Sequence, residues 1–197
     1  MHGRDWSEIR AWRRQTRDHL IARRAVLSPD ERRALGEQAC ARLEAAVDLR
    51  AFRSLGFCWP IRGEFDARPL AERHRASGGV IALPVVIGKS EPLEFWRWSP
   101  GTPMQTGIWN IPIPKMRELV IPEVLIAPLV GFDAAGYRLG YGGGYFDRTL
   151  AACSPRPFAI GLGCEESRLD TIHPQSHDIP MDMIVTELAA HTARPAS

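Results

Sequence analysis

The first fifty residues have the periodicity of two helices. A few apolar residues recur among many arginines between residues 5 and 26, which predicts a helix with a narrow apolar stripe and a strongly basic remainder. Residues 28–31 read Ser-Pro-Asp-Glu, so Ser28 is suited to be an N-cap, Pro29 lies in the first turn and Glu31 completes a capping box. A second helix is therefore predicted from this start to about residue 47.

Short apolar runs replace the helical pattern beyond residue 50 and predict strands. The runs cover residues 54–59, 80–87, 93–98, 124–132, 158–164 and 183–186. Residues 68–77 have a helical pattern between the first two runs, and this order is typical of a parallel crossover. The turn-rich connection at residues 88–92 favours an antiparallel pairing of the second and third strands. We predict an α/β fold, a mostly parallel sheet flanked by helices, in a single domain spanning residues 1–197.

Composition and charge narrow the functional classes. The chain has 197 residues, of which 45% are hydrophobic and 24% charged, enough for one packed core. The net charge of +2 is a weak argument for a polyanionic partner, and we expect no nucleic-acid binding. No run approaches the roughly 18 apolar residues of a membrane span, and no secretory core is visible. We expect a cytoplasmic monomer that acts on small molecules and has no membrane partner.

The cysteines give no sign of a disulfide framework or a zinc site. Four of them lie far apart without a C-x-x-C pair, at Cys40, Cys58, Cys153 and Cys164. Reduced and mostly buried thiols are therefore expected.

A glycine-rich loop after the most apolar predicted strand is the stretch most informative about chemistry. Four glycines occur within five residues, at Gly140, Gly142, Gly143 and Gly144. Successive backbone N–H groups without side chains can converge on an anion, and a short helix predicted to begin near Gly144 would point its positive end at the same place. The dinucleotide fingerprint G-x-G-x-x-G fails because Tyr145 stands at its last glycine. The pattern indicates a phosphate site without a Rossmann cofactor.

Charged residues flank this loop on both sides. Arg138 precedes it, and Asp147 and Arg148 follow it. Arginine binds phosphate oxygens in a fork, and an aspartate beside phosphate is favourable where a cation such as Mg²⁺ lies between them. The combination points to a nucleoside triphosphate with magnesium. The alternative is a glycine-rich turn in which Asp147 caps the following helix.

Four ordered segments carry a resemblance to a known family. Residues 136–148 read GYRLGYGGGYFDR, residues 59–66 read WPIRGEFD, and residues 177–187 read HDIPMDMIVTE. Near the N-terminus the pattern K-x-x-L-R-x(6)-R-x-x-L-S is matched at Arg13, Arg17, Arg24, Leu27 and Ser28, with arginine replacing the usual lysine at Arg13. Over about residues 10–188 the chain closely resembles the 5-formyltetrahydrofolate cyclo-ligase family, also called 5,10-methenyltetrahydrofolate synthetases.

The resemblance implies a fold and a reaction. The family has a NagB/RpiA/CoA-transferase-like fold and uses MgATP to convert 5-formyltetrahydrofolate into 5,10-methenyltetrahydrofolate, with release of ADP and phosphate. ATP phosphorylates the formyl oxygen, N10 of the folate attacks the formyl carbon, and phosphate departs. Such a protein mainly positions two substrates and neutralises charge on a moving phosphoryl group.

Site residues are also implied by the resemblance. ATP is expected at Arg13, Arg14, Arg17, Arg138, Leu139, Gly140, Tyr141, Gly142, Gly143, Gly144, Tyr145, Phe146 and Arg148. The folate is expected at Trp59, Glu64, Tyr141, Gly142, Gly143, Gly144 and Tyr145. Magnesium is expected at Asp147 and Asp182, and catalysis at Arg138, Tyr145 and Asp147. Three alternatives stay open: Trp59 as a core residue, Glu64 as part of a solvated turn, and Arg148 as the partner of an acidic neighbour.

One segment departs from the family pattern. Where G-I-x-E-P is usual, residues 107–112 read GIWNIP, so Asn110 replaces an acidic residue. Two other functions stay open for this reason: a paralogue that uses the same ATP site on another substrate, and a non-catalytic folate- or nucleotide-binding protein. Trp109 either stacks on an aromatic ring of the substrate or covers the core.

Overall fold

The structure, a computed structural model, describes residues 5–193, and its helices begin where local signals predict them. They are α1 (Trp6–Val26), α2 (Pro29–Ala46), α3 (Arg68–Ala76) and α4 (Tyr145–Ala152). Ser28 and Glu31 form the predicted capping box at the start of α2. Asp5 and Glu8 form a second box at the start of α1. Short 3₁₀ turns follow at Leu49–Ala51, Ile108–Asn110 and Glu165–Ser167.

Seven strands form a central sheet in the order β12-β11-β9-β6-β1-β2-β3. Its members are β1 (Ser54–Phe57), β2 (Val80–Val85), β3 (Glu94–Trp98), β6 (Val124–Pro128), β9 (Phe158–Leu162), β11 (Met183–Val185) and β12 (Ala190–Thr192). The five inner strands are parallel, and the two edge strands are antiparallel to their neighbours. The predicted mostly parallel α/β fold and the antiparallel β2–β3 pair are confirmed.

Smaller sheets hold the remaining strands, which the sequence did not predict as separate elements. One has the order β10-β7-β8, from β7 (Gly131–Asp133), β8 (Arg138–Leu139) and β10 (Arg168–Leu169); the other pairs β4 (Met104–Thr106) with β5 (Pro112–Pro114). A single strand over residues 124–132 is therefore wrong, because β6 ends at Pro128 and the chain resumes in β7. Both strands are buried, so the apolar run continues through the turn and no polar residue marks it.

The core lies on both faces of the central sheet. Leu43 of α2 and Leu70 of α3 belong to the same buried cluster as Ile126 of β6. Leu150 of α4 and Leu125 of β6 belong to the cluster on the opposite face. Consecutive residues of a strand point to opposite faces, so β6 is apolar throughout because helices cover it on both sides.

Leu125→Ala is expected to lower the free energy of unfolding by about 2–5 kcal/mol, because the side chain is fully buried and the substitution leaves a cavity. Urea denaturation measures the loss. The matched control is Leu188→Ala at an exposed leucine, for which we expect a change within about 0.5 kcal/mol. Equal losses for the two variants would contradict the assignment of β6 to the core.

Helix α1 packs over the small β10-β7-β8 sheet. Its Leu20 joins a third buried cluster with Val130, Leu139 and Ile172. The basic helix is thereby held beside the segment that leads into the glycine-rich loop.

Burial keeps the cysteine thiols protonated. All four are free, and burial raises the pKa of each thiol, that of Cys40 to about 12. Within residues 5–193 no helix is long and apolar enough to cross a membrane.

The carboxyl ends of β1 and β6 meet at one edge of the sheet, because these strands are parallel neighbours. The segment after β1 contains Glu64. The segment after β6 runs through β7 and β8 into the glycine-rich loop. Both segments that the sequence singles out therefore lie at this edge, where ligands bind in many parallel α/β folds.

Candidate functional site

The glycine-rich loop connects β8 to α4 and is anchored to α1. The Nε of Arg17 donates a hydrogen bond to the carbonyl oxygen of Gly140 at 2.6 Å. Gly142 has φ +89° and Gly144 has φ +65°, both in the region that favours glycine. Gly144 is the N-cap of α4, and among residues 5–193 no side chain caps this helix. The first backbone N–H groups of α4 are thus left for an anionic ligand.

A buried ion pair closes the base of the loop. Arg138 and Asp147 lie 3.1 Å apart, and the Arg138 side chain is only 5% exposed. The Ile179 backbone binds both partners: its N–H donates to Asp147 at 3.1 Å, and its carbonyl oxygen accepts from Arg138 at 3.2 Å. Burial lowers the pKa of Arg138, and the Asp147 carboxylate opposes this effect. The structure therefore brings together two of the three residues to which the sequence assigns catalysis.

Asp147 and Asp182, predicted to share a magnesium ion, have different partners. Asp182 precedes β11, where its carboxylate binds Arg156 at 3.0 Å and accepts the Ala159 N–H at 2.7 Å. The two aspartates share no contact within the described structure. Each aspartate has one arginine and one backbone N–H as partners, so the shared magnesium site stays a prediction.

Asp147 fits a magnesium ion that arrives with phosphate. Magnesium takes oxygen ligands, commonly one or two carboxylates together with substrate phosphates. Each Asp147 oxygen has one protein partner, which leaves lone pairs available at the open end of α4. In the described part of the chain no group of three or more His, Cys, Asp or Glu could hold a metal ion.

The three N-terminal arginines predicted to bind phosphate differ in their surroundings. Arg17 is half-buried, and burial lowers its pKa. Arg13 is occupied, because it pairs with Asp178 at 2.5 Å and donates to the carbonyl oxygens of Ile172 and His173. Arg14 is exposed. Of the three, Arg17 is the one the structure joins to the glycine-rich loop.

Glu64 is a buried carboxylate and not part of a solvated turn. Its Oε2 accepts the Ile61 N–H at 2.9 Å, and its Oε1 accepts the Tyr141 hydroxyl at 2.6 Å. Burial raises the pKa of Glu64, and these hydrogen bonds lower it. The link to Tyr141 joins the segment after β1 to the glycine-rich loop.

Aromatic residues surround the loop on its exposed side. Arg148 donates to the Gly143 carbonyl oxygen at 2.9 Å and lies over the Tyr145 ring. Trp109 is 63% exposed and meets the same ring edge-on, with 5.8 Å between ring centroids. Trp109 therefore lies beside the loop and does not cover the core.

Trp59 has the surroundings of a core residue. Its ring packs edge-on against Trp98, and the Arg68 guanidinium lies over it at 4.8 Å. It also packs against the buried cluster that α2 and α3 form with the sheet. The structure thus supports the core interpretation that the sequence left open.

Sequence reasoning assigned no site role to two residues that organise the site, although Arg24 was named in the matched N-terminal pattern. Asp133 is buried and accepts three backbone N–H groups, from Ala135, Tyr137 and Ile172, which fixes the turn before Arg138. Arg24 donates to the Tyr141 hydroxyl. Its spacing of seven from Arg17, two helical turns, was the signal that could have placed both on one face of α1.

Comparisons with known proteins identify the family of this chain. The profile of the 5-formyltetrahydrofolate cyclo-ligase family matches residues 9–187. The chain is 31% identical over 172 residues to 5-formyltetrahydrofolate cyclo-ligase of Escherichia coli, covering 83% of this chain and 94% of that protein. It is 28% identical over 184 residues to the Haemophilus influenzae protein of the same name, covering 88% and 97% respectively.

Solved structures give the same result. The 5,10-methenyltetrahydrofolate synthetase of Aquifex aeolicus superposes with a TM-score of 0.80 at 28% identity, covering 94% of each chain. The Mycoplasma pneumoniae synthetase has a TM-score of 0.73 at 21% identity, covering 89% of this chain and 98% of that one, and supports the fold alone. The family profile over residues 9–187 confirms the resemblance seen in the sequence. The chain belongs to the 5-formyltetrahydrofolate cyclo-ligase family.

Proposed function

We propose that this protein converts 5-formyltetrahydrofolate into 5,10-methenyltetrahydrofolate with MgATP, releasing ADP and phosphate. The observation that carries the proposal is the glycine-rich loop at the carboxyl edge of the sheet, which leads into the uncapped N-terminus of α4. The loop is held between Arg17 and the buried Arg138–Asp147 pair. Backbone N–H groups, a guanidinium and a carboxylate in this arrangement are the groups that phosphoryl transfer requires.

The chain's own residues would position the nucleotide and neutralise its charge. Backbone N–H groups from the loop and the start of α4 bind the phosphates, and Arg17 holds the loop in place from α1. Arg138 supplies positive charge at the base of the loop, where charge develops on the transferred phosphoryl group. When bound, magnesium neutralises phosphate charge, with Asp147 as its protein ligand.

Glu64 is proposed to accept N–H groups of the pterin ring. A buried carboxylate is a strong acceptor for paired N–H donors, and Tyr141 connects it directly to the loop. The formyl group would thereby lie between the folate pocket and the ATP phosphates. N10 then attacks the carbon of the O-phosphorylated formyl group, and the C–O bond to phosphate breaks as phosphate leaves.

The coupled product assay tests this function. Purified protein is mixed with 5-formyltetrahydrofolate and MgATP, and methenyl absorbance and ADP are followed together, with each component omitted in turn. We expect one ADP for each methenyl product, and only in the complete mixture. ADP without methenyl product, or neither signal from folded protein, would contradict the proposal.

Glu64→Gln is expected to raise the KM for 5-formyltetrahydrofolate by about tenfold or more, since a hydrogen bond to a charged group contributes roughly 1.5–3 kcal/mol. The KM for MgATP stays within about twofold, because the nucleotide is held by the loop and not by Glu64. Steady-state kinetics with each substrate varied in turn make the measurement. An equal rise in both KM values would argue against a pterin contact.

A further inference from the structure

One side chain and one backbone N–H bind the Glu64 carboxylate, and two arginines contact that side chain. The Tyr141 hydroxyl lies 2.6 Å from Glu64 Oε1, and Arg24 Nη2 lies 2.8 Å from that hydroxyl. The Ile61 N–H binds the other oxygen, and the Arg62 guanidinium lies over the Tyr141 ring at 5.5 Å. The pterin contact proposed above leaves open what keeps a carboxylate ionised when it is only 7% exposed.

The directions of these hydrogen bonds follow from the chemistry of the groups. A guanidinium can only donate, so the Tyr141 oxygen accepts from Arg24 and the Tyr141 hydrogen is directed at Glu64. A carboxylate that accepts a hydroxyl hydrogen is favoured in its ionised form. Two of its roughly four acceptor positions are then used, which leaves two for a ligand.

We propose that Arg24 and Tyr141 are positioning residues that hold Glu64 as an ionised, oriented acceptor for the N–H groups of the folate ring. This inference rests on the proposed function and gives Tyr141 a role other than direct contact with ATP. Arg24 is itself fixed, because its Nε and Nη1 each donate at 3.0 Å, to the carbonyl oxygens of Arg62 and Leu129. A residue of α1 thus fixes, through Tyr141, the orientation of a carboxylate in the segment after β1.

The charges around Glu64 support this reading. The groups that face it are Arg24, Arg62, Tyr141 and Cys58. Burial and the nearby carboxylate raise the pKa of Tyr141, and burial raises that of Cys58, so both stay neutral at physiological pH. Burial also raises the pKa of Glu64, while Tyr141, the Ile61 amide and the two arginines lower it. The pKa of Glu64 lies above its usual value, because the effect of burial exceeds the opposing effect of these hydrogen bonds and charges.

Tyr141→Phe tests the inference because it removes the hydroxyl and keeps the ring beneath Arg62. The first readout needs no substrate: a ¹³C NMR pH titration of the Glu64 carboxyl carbon, assigned with Glu64→Gln. We expect the pKa of Glu64 to rise by about one unit, the size expected for a lost hydrogen bond to a charged group. Tyr137→Phe, at a tyrosine outside this network, is expected to leave the pKa unchanged.

Kinetics give the second readout. A raised Glu64 pKa means that the carboxylate is protonated at a higher pH. The acidic limb of the pH profile of kcat/KM for 5-formyltetrahydrofolate is therefore expected about one pH unit higher. The KM for MgATP stays within about twofold. Arg24→Gln, which removes the guanidinium that donates to Tyr141 together with its positive charge, is the second variant and is expected to move the limb in the same direction.

Two results would overturn the inference. One is an unchanged Glu64 pKa in both Tyr141→Phe and Arg24→Gln. The other is a parallel loss of affinity for both substrates without movement of the acidic limb, as a direct ligand contact of Tyr141 predicts. If the wild-type protein fails to form methenyl product, the proposed function fails, while the NMR titration still decides whether Arg24 and Tyr141 control Glu64.

Discussion

Asp147→Asn is expected to reduce kcat at least about 100-fold at saturating substrates, the usual effect of removing one electrostatic contact from a reacting centre. The substitution retains an acceptor for the Ile179 N–H, but it removes the charge that faces Arg138 and any magnesium ion bound with ATP. It also leaves a buried guanidinium with a weaker partner, so the free energy of unfolding is expected to fall by about 1–3 kcal/mol. The coupled assay and urea denaturation measure the two effects separately.

Asp30→Asn is the matched control for this substitution. Asp30 is exposed on α2 and pairs with Arg33, so the same chemical change is made in a surface ion pair. We expect kcat to be unchanged and the stability to change by less than about 1 kcal/mol. Near-normal turnover of folded Asp147→Asn at saturating magnesium would refute the role of Asp147.

Gly142→Ala is expected to raise the KM for MgATP by about tenfold or more. The residue has φ +89°, where an alanine is strained by roughly 1–3 kcal/mol. A Cβ atom there would also lie 3.3 Å from Nη2 of Arg17, closer than side chains normally approach. The Arg17 guanidinium can shift by a few tenths of an ångström, but the strain at φ +89° remains, so we expect the loop to change conformation and its N–H groups no longer to converge on the phosphates. Steady-state kinetics with MgATP varied measure the change.

Gly101→Ala separates backbone strain from ligand binding. Gly101 has φ +90°, almost the same as Gly142, but nothing lies within 4 Å of its added Cβ atom. We expect a similar loss of stability without any change in the KM for MgATP. If Gly142→Ala left that KM equally unchanged, the loop would not be the phosphate site.

Features specified by neighbouring residues could be predicted from the sequence. The start of α2 depends on Ser28 and Glu31, which lie in one helical turn, and five of the central strands end within two residues of their apolar runs, whereas β6 ends four residues earlier than its run. The Arg138–Asp147 pair lies within one motif, and the family resemblance marked both residues. These elements are fixed locally, so no tertiary information was needed.

Partners brought together by the fold could not be predicted in the same way. Arg13 and Asp178 are 165 residues apart, and only the packing of α1 reveals that this arginine is already paired. Asp182 meets Arg156 because its segment passes the loop after α4. Trp59 follows β1 and Trp98 ends β3. The two rings meet because only β2 lies between these strands in the sheet. A sequence pattern carries residue types, but it does not determine which distant group satisfies each of them.

The contacts of α1 also determine when the site can exist during folding. Arg17 binds Gly140 and Arg24 binds Tyr141 across separations of 123 and 117 residues. Contacts of such length form late, because the entropy of closing a long loop must first be overcome. The earliest segment of the chain thus completes its hydrogen bonds only when the last third has been synthesised and folded. The proposed nucleotide site is therefore completed only when the glycine-rich loop has folded against α1.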